Sequence, residues 1–118
     1  MDDTDSHLRK FHKELSAGIV SLVLLGVLAR TRTPMYGYQI VKRLEATGEG
    51  ALSGKQSALY PVLRNLAAAG LLDSEVEPSI TGPPRRYYRI TSLGRRVLRE
   101  WSLNWIATRD FVDTILED

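Results

Sequence analysis

One seven-residue stretch, Pro78-Ser79-Ile80-Thr81-Gly82-Pro83-Pro84, decides most of what this chain can fold into. Its three prolines fix φ and lack a backbone donor, so neither a helix nor a strand can run through it. The flanking runs, Leu71–Glu77 and Arg85–Ile90, have the length and alternation of short strands. A hairpin is the economical solution.

Everything before the hairpin reads as helix. From Leu8 to about Arg30, the residues Leu8, Phe11, Leu15, Ile19, Leu22, Val23, Gly26 and Val27 recur at helical spacing. The stretch around Leu22–Leu28 is apolar nearly all round, which implies burial on several sides. Thr33-Pro34 is an N-cap and first-turn pair for a second helix reaching about Ala46, with Ile40, Val41 and Leu44 inward and Gly48 and Gly50 beyond its end. A third helix follows Gly54 and ends at Gly70, with Leu59, Val62, Leu63 and Leu66 facing the core. Pro61 fits it only near the start or at a distortion.

After the hairpin, Thr91 or Ser92 caps a last helix whose apolar positions Leu93, Val97, Trp101, Trp105, Thr108, Val112 and Ile115 form one face. Three helices, a hairpin and a long helix make a mainly α (α+β) chain on the winged helix-turn-helix plan. Residues 1–91 are expected to form the winged unit and 92–118 a dimerisation helix.

At 118 residues, 43% of them hydrophobic, the chain suits one domain with one core. The absence of cysteine excludes a disulfide framework, a thiolate nucleophile and a Cys-type zinc site, and makes a reducing cytoplasm the expected compartment. The most apolar run, Ile19–Ala29, covers 11 residues, short of the roughly 20 that span a bilayer. Basic residues precede it, but Asp2, Asp3, Asp5 and Glu14 spoil a signal-peptide pattern. No membrane partner is expected. Enzyme signals are weak: His7 and His12 miss the four-residue step of paired helix ligands, and no phosphate loop or nucleophile elbow occurs. The acidic end, Asp110, Asp113, Glu117 and Asp118, has the ligands to chelate a hard cation, but a solvated helix terminus is the plainer reading, so no metal or cofactor is expected.

The net charge of +2 hides a strong division. Residues 30–99 carry twelve Lys and Arg against five Asp and Glu, whereas residues 1–29 net −1 and residues 100–118 net −4. A basic middle between acidic ends suits a polyanion on one surface. On the third helix the outward candidates are Lys55, Gln56, Ser57, Tyr60, Arg64 and Asn65. Gln, Arg and Asn can make bidentate contacts with base edges, and Ser and Tyr suit phosphate oxygens. An ordinary solvated helix face is the plain alternative.

In the hairpin, alternation puts Arg85, Tyr87 and Arg89 on one face and Arg86, Tyr88 and Ile90 on the other. Arg85 and Arg86 are placed to reach phosphates or a minor groove, with Lys42 adding charge from the second helix. A charged edge strand guarded against aggregation would carry the same residues. The rival class is a winged module that docks on protein and never touches DNA. Basic residues on both third helix and wing favour DNA over that rival.

These stretches also carry a resemblance. Leu24-Leu25-Gly26-Val27-Leu28, Pro34-Met35-Tyr36-Gly37-Tyr38-Gln39-Ile40, Ala58-Leu59-Tyr60-Pro61-Val62-Leu63-Arg64-Asn65-Leu66, Gly70-Leu71-Leu72 and Gly82-Pro83-Pro84-Arg85-Arg86-Tyr87-Tyr88-Arg89-Ile90-Thr91-Ser92-Leu93-Gly94 together resemble the PadR family of bacterial transcriptional regulators. The resemblance spans about residues 19–97, and its small-subunit branch has a single helix after the wing. It implies a homodimeric winged-helix repressor on a pseudo-palindromic operator. Two departures stand out: Gly54-Lys55 replaces an aliphatic residue and a Ser or Asn cap, and Ala58 replaces the usual Thr.

Trp101 and Trp105 lie one turn apart on the last helix. So small a body cannot cover so long an apolar face, and an uncovered stripe ordinarily marks an interface. The resemblance to small PadR members implies a dimer there, with aromatic residues sometimes lining a central cavity that accepts flat hydrophobic effectors. Here the indoles, with Leu15, Gly18, Ile19 and Leu22 of the first helix, would line it for a small planar hydrophobic effector. Alternatively, the indoles fill the interface and leave no cavity.

Overall fold

The computed structural model describes residues 3–47 and 58–117. Helix α1 (Asp3–Ala29) is followed by strand β1 (Met35–Tyr36), helices α2 (Gly37–Thr47) and α3 (Leu59–Ala68), strands β2 (Leu72–Glu77) and β3 (Arg85–Ile90), and helix α4 (Ser92–Leu116). This is the expected mainly helical winged plan with a long final helix. Two details differ from the sequence reading.

The sheet has three strands in the order β1-β3-β2, not two. Met35 and Tyr36 pair with Tyr88 and Tyr87 of β3, so α2 begins at Gly37 rather than at Thr33-Pro34. Residues in a ladder are extended and cannot open a helix at the same time. The Gln39 side-chain oxygen then accepts the Tyr36 backbone N–H at 3.1 Å, as the third helical residue does in a capping box.

The core gathers one face from every element. Leu24, Leu25 and Leu28 of α1 meet Ile40 and Leu44 of α2, Leu63 and Leu66 of α3, and Leu71, Leu72, Tyr88 and Ile90 around the hairpin. Helix α1 is long and apolar enough to cross a membrane by length and composition. Its last turns are nevertheless the centre of this core, with Leu24 and Leu25 fully buried. Helices α2 and α3 touch where a side chain is missing: a Cβ on Gly37 would lie 2.5 Å from Cε1 of Tyr60. Pro61 is the third residue of α3, where a missing N–H costs no helical bond.

The end of α3 and the start of α4 share one junction. Gly70 has φ +82°, and the Gly70 and Leu71 N–H groups donate to Ala67 and Leu66 carbonyls, both at 3.0 Å. That is a Schellman ending, which requires a residue tolerant of the left-handed region. Thr91 caps α4 by accepting the Gly94 N–H at 2.9 Å, and its hydroxyl donates to the Gly70 carbonyl at 2.8 Å. A Cβ on Gly94 would collide with the Leu71 carbonyl oxygen and lie 2.8 Å from Ile90 Cγ1.

Gly94→Ala is therefore expected to lower the urea unfolding free energy by about 1–3 kcal/mol or more, through overpacking against backbone. Thr91→Ala should cost about 1–2 kcal/mol through loss of the cap. Thr91→Ser, which keeps the hydroxyl, should recover most of that loss. Urea melts of the three variants give the comparison.

Candidate nucleic-acid interface

Of the third-helix candidates, Lys55, Gln56 and Ser57 lie outside the described residues. Arg64 and Asn65 are exposed on α3, while Leu63 and Leu66 enter the core. Tyr60 is half-buried rather than freely outward, because its ring sits over Gly37.

The wing presents its arginines on both faces. In the β2–β3 ladder Arg85 is opposite Glu77 and Arg86 is opposite Val76. Both guanidinium side chains are exposed, and Arg86 Nη1 donates to Ser74 Oγ at 3.0 Å. On the same face as Arg86, Tyr88 and Ile90 turn into the core as alternation predicts. Burial pushes the Tyr88 phenol above its usual range, against the opposing pull of Arg86 and Arg64. Helix α3 packs against β2, the hairpin strand paired with β3, so the exposed cations of α3 and of the wing lie on neighbouring elements.

The other wing face carries an aromatic ladder that the sequence reading missed. The Arg85 guanidinium carbon lies 4.6 Å from the centre of the Tyr36 ring. Tyr36 meets Tyr87 edge-on at 5.6 Å and stacks on Tyr38 at 6.1 Å. The Lys42 ammonium stands 5.5 Å from the Tyr38 ring centre. Cation–π contacts of this kind are worth about 0.5–1 kcal/mol when exposed. The ladder ties Arg85 on the wing to Lys42 on α2. The signal was Tyr36-Gly37-Tyr38 itself, but only the β1–β3 pairing puts Tyr36 beside the wing.

A separate groove of about 580 Å³ runs between α1 and α4. Leu15, Gly18, Ile19, Leu22, Trp101 and Trp105 all line it, together with the polar Glu14, Ser21, Asn104 and Thr108, which the sequence reading did not name for this site. Trp101 is half-buried and Trp105 is 38% exposed. Beyond the groove, Leu8 and Phe11 on α1 and Phe111, Val112, Ile115 and Leu116 on α4 are exposed. The bare apolar surface of α4 is broader than the single face read from the sequence, since Leu103 and Ile106 are exposed as well. Among the described residues no group of His, Cys, Asp and Glu side chains is placed to hold a metal ion.

A three-helix core, a three-stranded wing and cations on both α3 and the wing define a winged helix-turn-helix protein of the transcription-factor class. Residues 24–100 match the family model described as the transcriptional regulator PadR-like family. The chain is similar to the crystal structure of a PadR family transcriptional regulator from Eggerthella lenta, at 36% identity and a TM-score of 0.81, covering 98% of this chain and 96% of that one. It is also similar to a PadR-like transcription factor from Bacteroides fragilis, at 30% identity and a TM-score of 0.67, covering 97% and 99% of the two chains. An uncharacterized protein from Lysinibacillus sphaericus is 29% identical over 97 residues, covering 82% of this chain and 86% of its own. The chain belongs to the PadR-like family of transcriptional regulators.

The ladder makes a prediction that separates ring from hydroxyl. Tyr36→Ala should release Arg85 and lower the affinity for duplex DNA a few-fold, as loss of an exposed cation–π contact implies. Tyr36→Phe should leave it near the parent value. Equal losses in both would assign the effect to the phenol oxygen. Fluorescence anisotropy on a labelled duplex reads the difference.

Proposed function

We propose that this protein is a homodimeric repressor that binds a pseudo-palindromic operator, with α3 in the major groove and the wing on the flanking backbone. The observation that carries the reading is that α3, with exposed Arg64 and Asn65, packs against β2 of the hairpin whose other strand carries exposed Arg85 and Arg86. Arg64 and Asn65, with Gln56 from the sequence before α3, supply bidentate base contacts. Lys42, Lys55, Arg85 and Arg86 supply charge toward phosphates, helped by Ser57 and the Tyr60 hydroxyl.

The dimer reading rests on what one copy leaves bare. The Cα radius of gyration is 16.4 Å, against about 13.5 Å for a compact chain of this length. Both long helices, α1 of 27 residues and α4 of 25, run past the core, and the outer turns of α4 carry exposed Phe111, Val112, Ile115 and Leu116. A second copy packed along α4, with Leu8 and Phe11 of α1 at its margin, would remove this surface from water. Residues 1–91 then form the winged half and 92–118 the dimerisation helix. The same packing would roof the α1–α4 groove, where Trp101 and Trp105 offer flat apolar faces to a planar hydrophobic effector. Such a ligand shifts DNA binding only by binding the two states differently.

Selection of bound sequences from random DNA by the purified protein tests the whole reading. An enriched two-fold symmetric site is the expected outcome, and no enrichment would leave a protein-docking module. Arg85→Ala and Arg86→Ala should each weaken binding to every sequence alike. Each should also flatten the slope of log affinity on log salt by about 0.9. Gln56→Ala and Asn65→Ala should each cost roughly 1–3 kcal/mol on the selected site and much less on random DNA.

For the groove, a flat hydrophobic dye should quench tryptophan fluorescence. Trp105→Ala should remove most of its affinity, and Trp101→Ala should weaken the dimer more than the ligand. Unchanged fluorescence with planar compounds would make the indoles interface core.

A further inference from the structure

A second pocket, of about 450 Å³, opens where the end of α1, the base of β3 and the first turn of α4 meet. Four arginines line it: Arg30 and Arg32 after α1, Arg89 on β3 and Arg95 on α4. All four are exposed, and among the described residues none makes an ion pair with a carboxylate. The nearest acid by register is Asp73, directly opposite Arg89 in the ladder. The C-terminal carbonyls of α1, which would repel an anion, are already engaged. The Val27 carbonyl accepts the Arg30 N–H at 3.2 Å and the Leu28 carbonyl accepts the Thr31 hydroxyl at 3.0 Å. The Ala29 carbonyl takes Arg95 Nη1 at 3.4 Å.

Four like charges around one concavity repel one another, and an anion seated among them would relieve that repulsion. We infer that this pocket is a binding site for a small, multiply charged anion of the phosphate class, held by Arg30, Arg32 and Arg95 with Arg89 at its rim. Guanidinium groups suit phosphate oxygens through paired N–H donors. The volume is that of a small-molecule site. Leu28 and Ile90 give it an apolar wall for the remainder of an organic phosphate.

The pocket is separate from both surfaces described above. Arg89 is four residues along β3 from Arg85, which is about 13 Å of extended chain from the wing loop. None of the pocket residues lines the tryptophan groove. An anion here would clamp the wing base to α1 and α4, and so fix how the wing stands on the long helix. The binding claim does not depend on the DNA reading.

The test uses the full-length protein with inorganic pyrophosphate, at ionic strength matched by chloride. Pyrophosphate should bind saturably by calorimetry and raise Tm. The double variant Arg32→Gln/Arg95→Gln should lose affinity by about tenfold or more, whereas Arg85→Gln should retain it. Circular dichroism checks that the double variant is folded, and Arg30→Gln alone provides a second, milder variant with the same expected direction. No saturable binding at millimolar pyrophosphate, or an equal loss in Arg85→Gln, overturns the proposal. A flatter salt dependence of DNA affinity in the double variant also overturns it, because the cluster would then be a contact to the DNA backbone.

Discussion

The structure turns on the Thr91 hydroxyl and the carbonyls beneath it. One side-chain oxygen accepts the Gly94 N–H to open α4 and donates to the Gly70 carbonyl that follows α3. The Thr91 backbone N–H meets the Leu71 carbonyl at 3.1 Å. Gly94 lets the first turn of α4 press against that same carbonyl with no room for a methyl group. The end of α3, the start of β2, the end of β3 and the start of α4 are thereby held at one point. Any surface built jointly from α3, the wing and α4 inherits its geometry from this contact.

Helix α1 serves two purposes along its length. Its last turns pack into the winged core through Leu24, Leu25 and Leu28. Its middle turns, with Leu15, Gly18, Ile19 and Leu22, form one wall of the tryptophan groove. The same helix therefore carries one wall of the groove and part of the core on which α3 rests. The proposed effector site and the core beneath the proposed DNA surface are thus joined by one continuous helix.

Charge is deployed in three distinct ways. Arg85 is held over an aromatic ring, Arg86 is hydrogen-bonded within the sheet, and Arg30, Arg32 and Arg95 surround a pocket. A sequence count of basic residues cannot distinguish these roles, since each depends on which strand or helix lies alongside.

Local rules made much of the fold legible in the sequence. Proline and glycine at 78–84 forced the hairpin, Gly70 stopped α3, Thr91 capped α4, and alternation turned Tyr88 and Ile90 inward. Helical periodicity also drew Leu15, Gly18, Ile19 and Leu22 toward Trp101 and Trp105, and these six do line one groove. The third strand was not legible, because Met35-Tyr36 is extended only through its pairing with β3, and Thr33-Pro34 offers a helix start by local chemistry alone. Nor were the seat of Tyr60 over Gly37, the tyrosine ladder and the arginine pocket. Sequence determines a preference wherever one residue's φ, hydrogen-bonding capacity or apolar spacing suffices. Tertiary structure alone decided the features that need two distant segments in contact, because no residue carries its partner's position in its own chemistry.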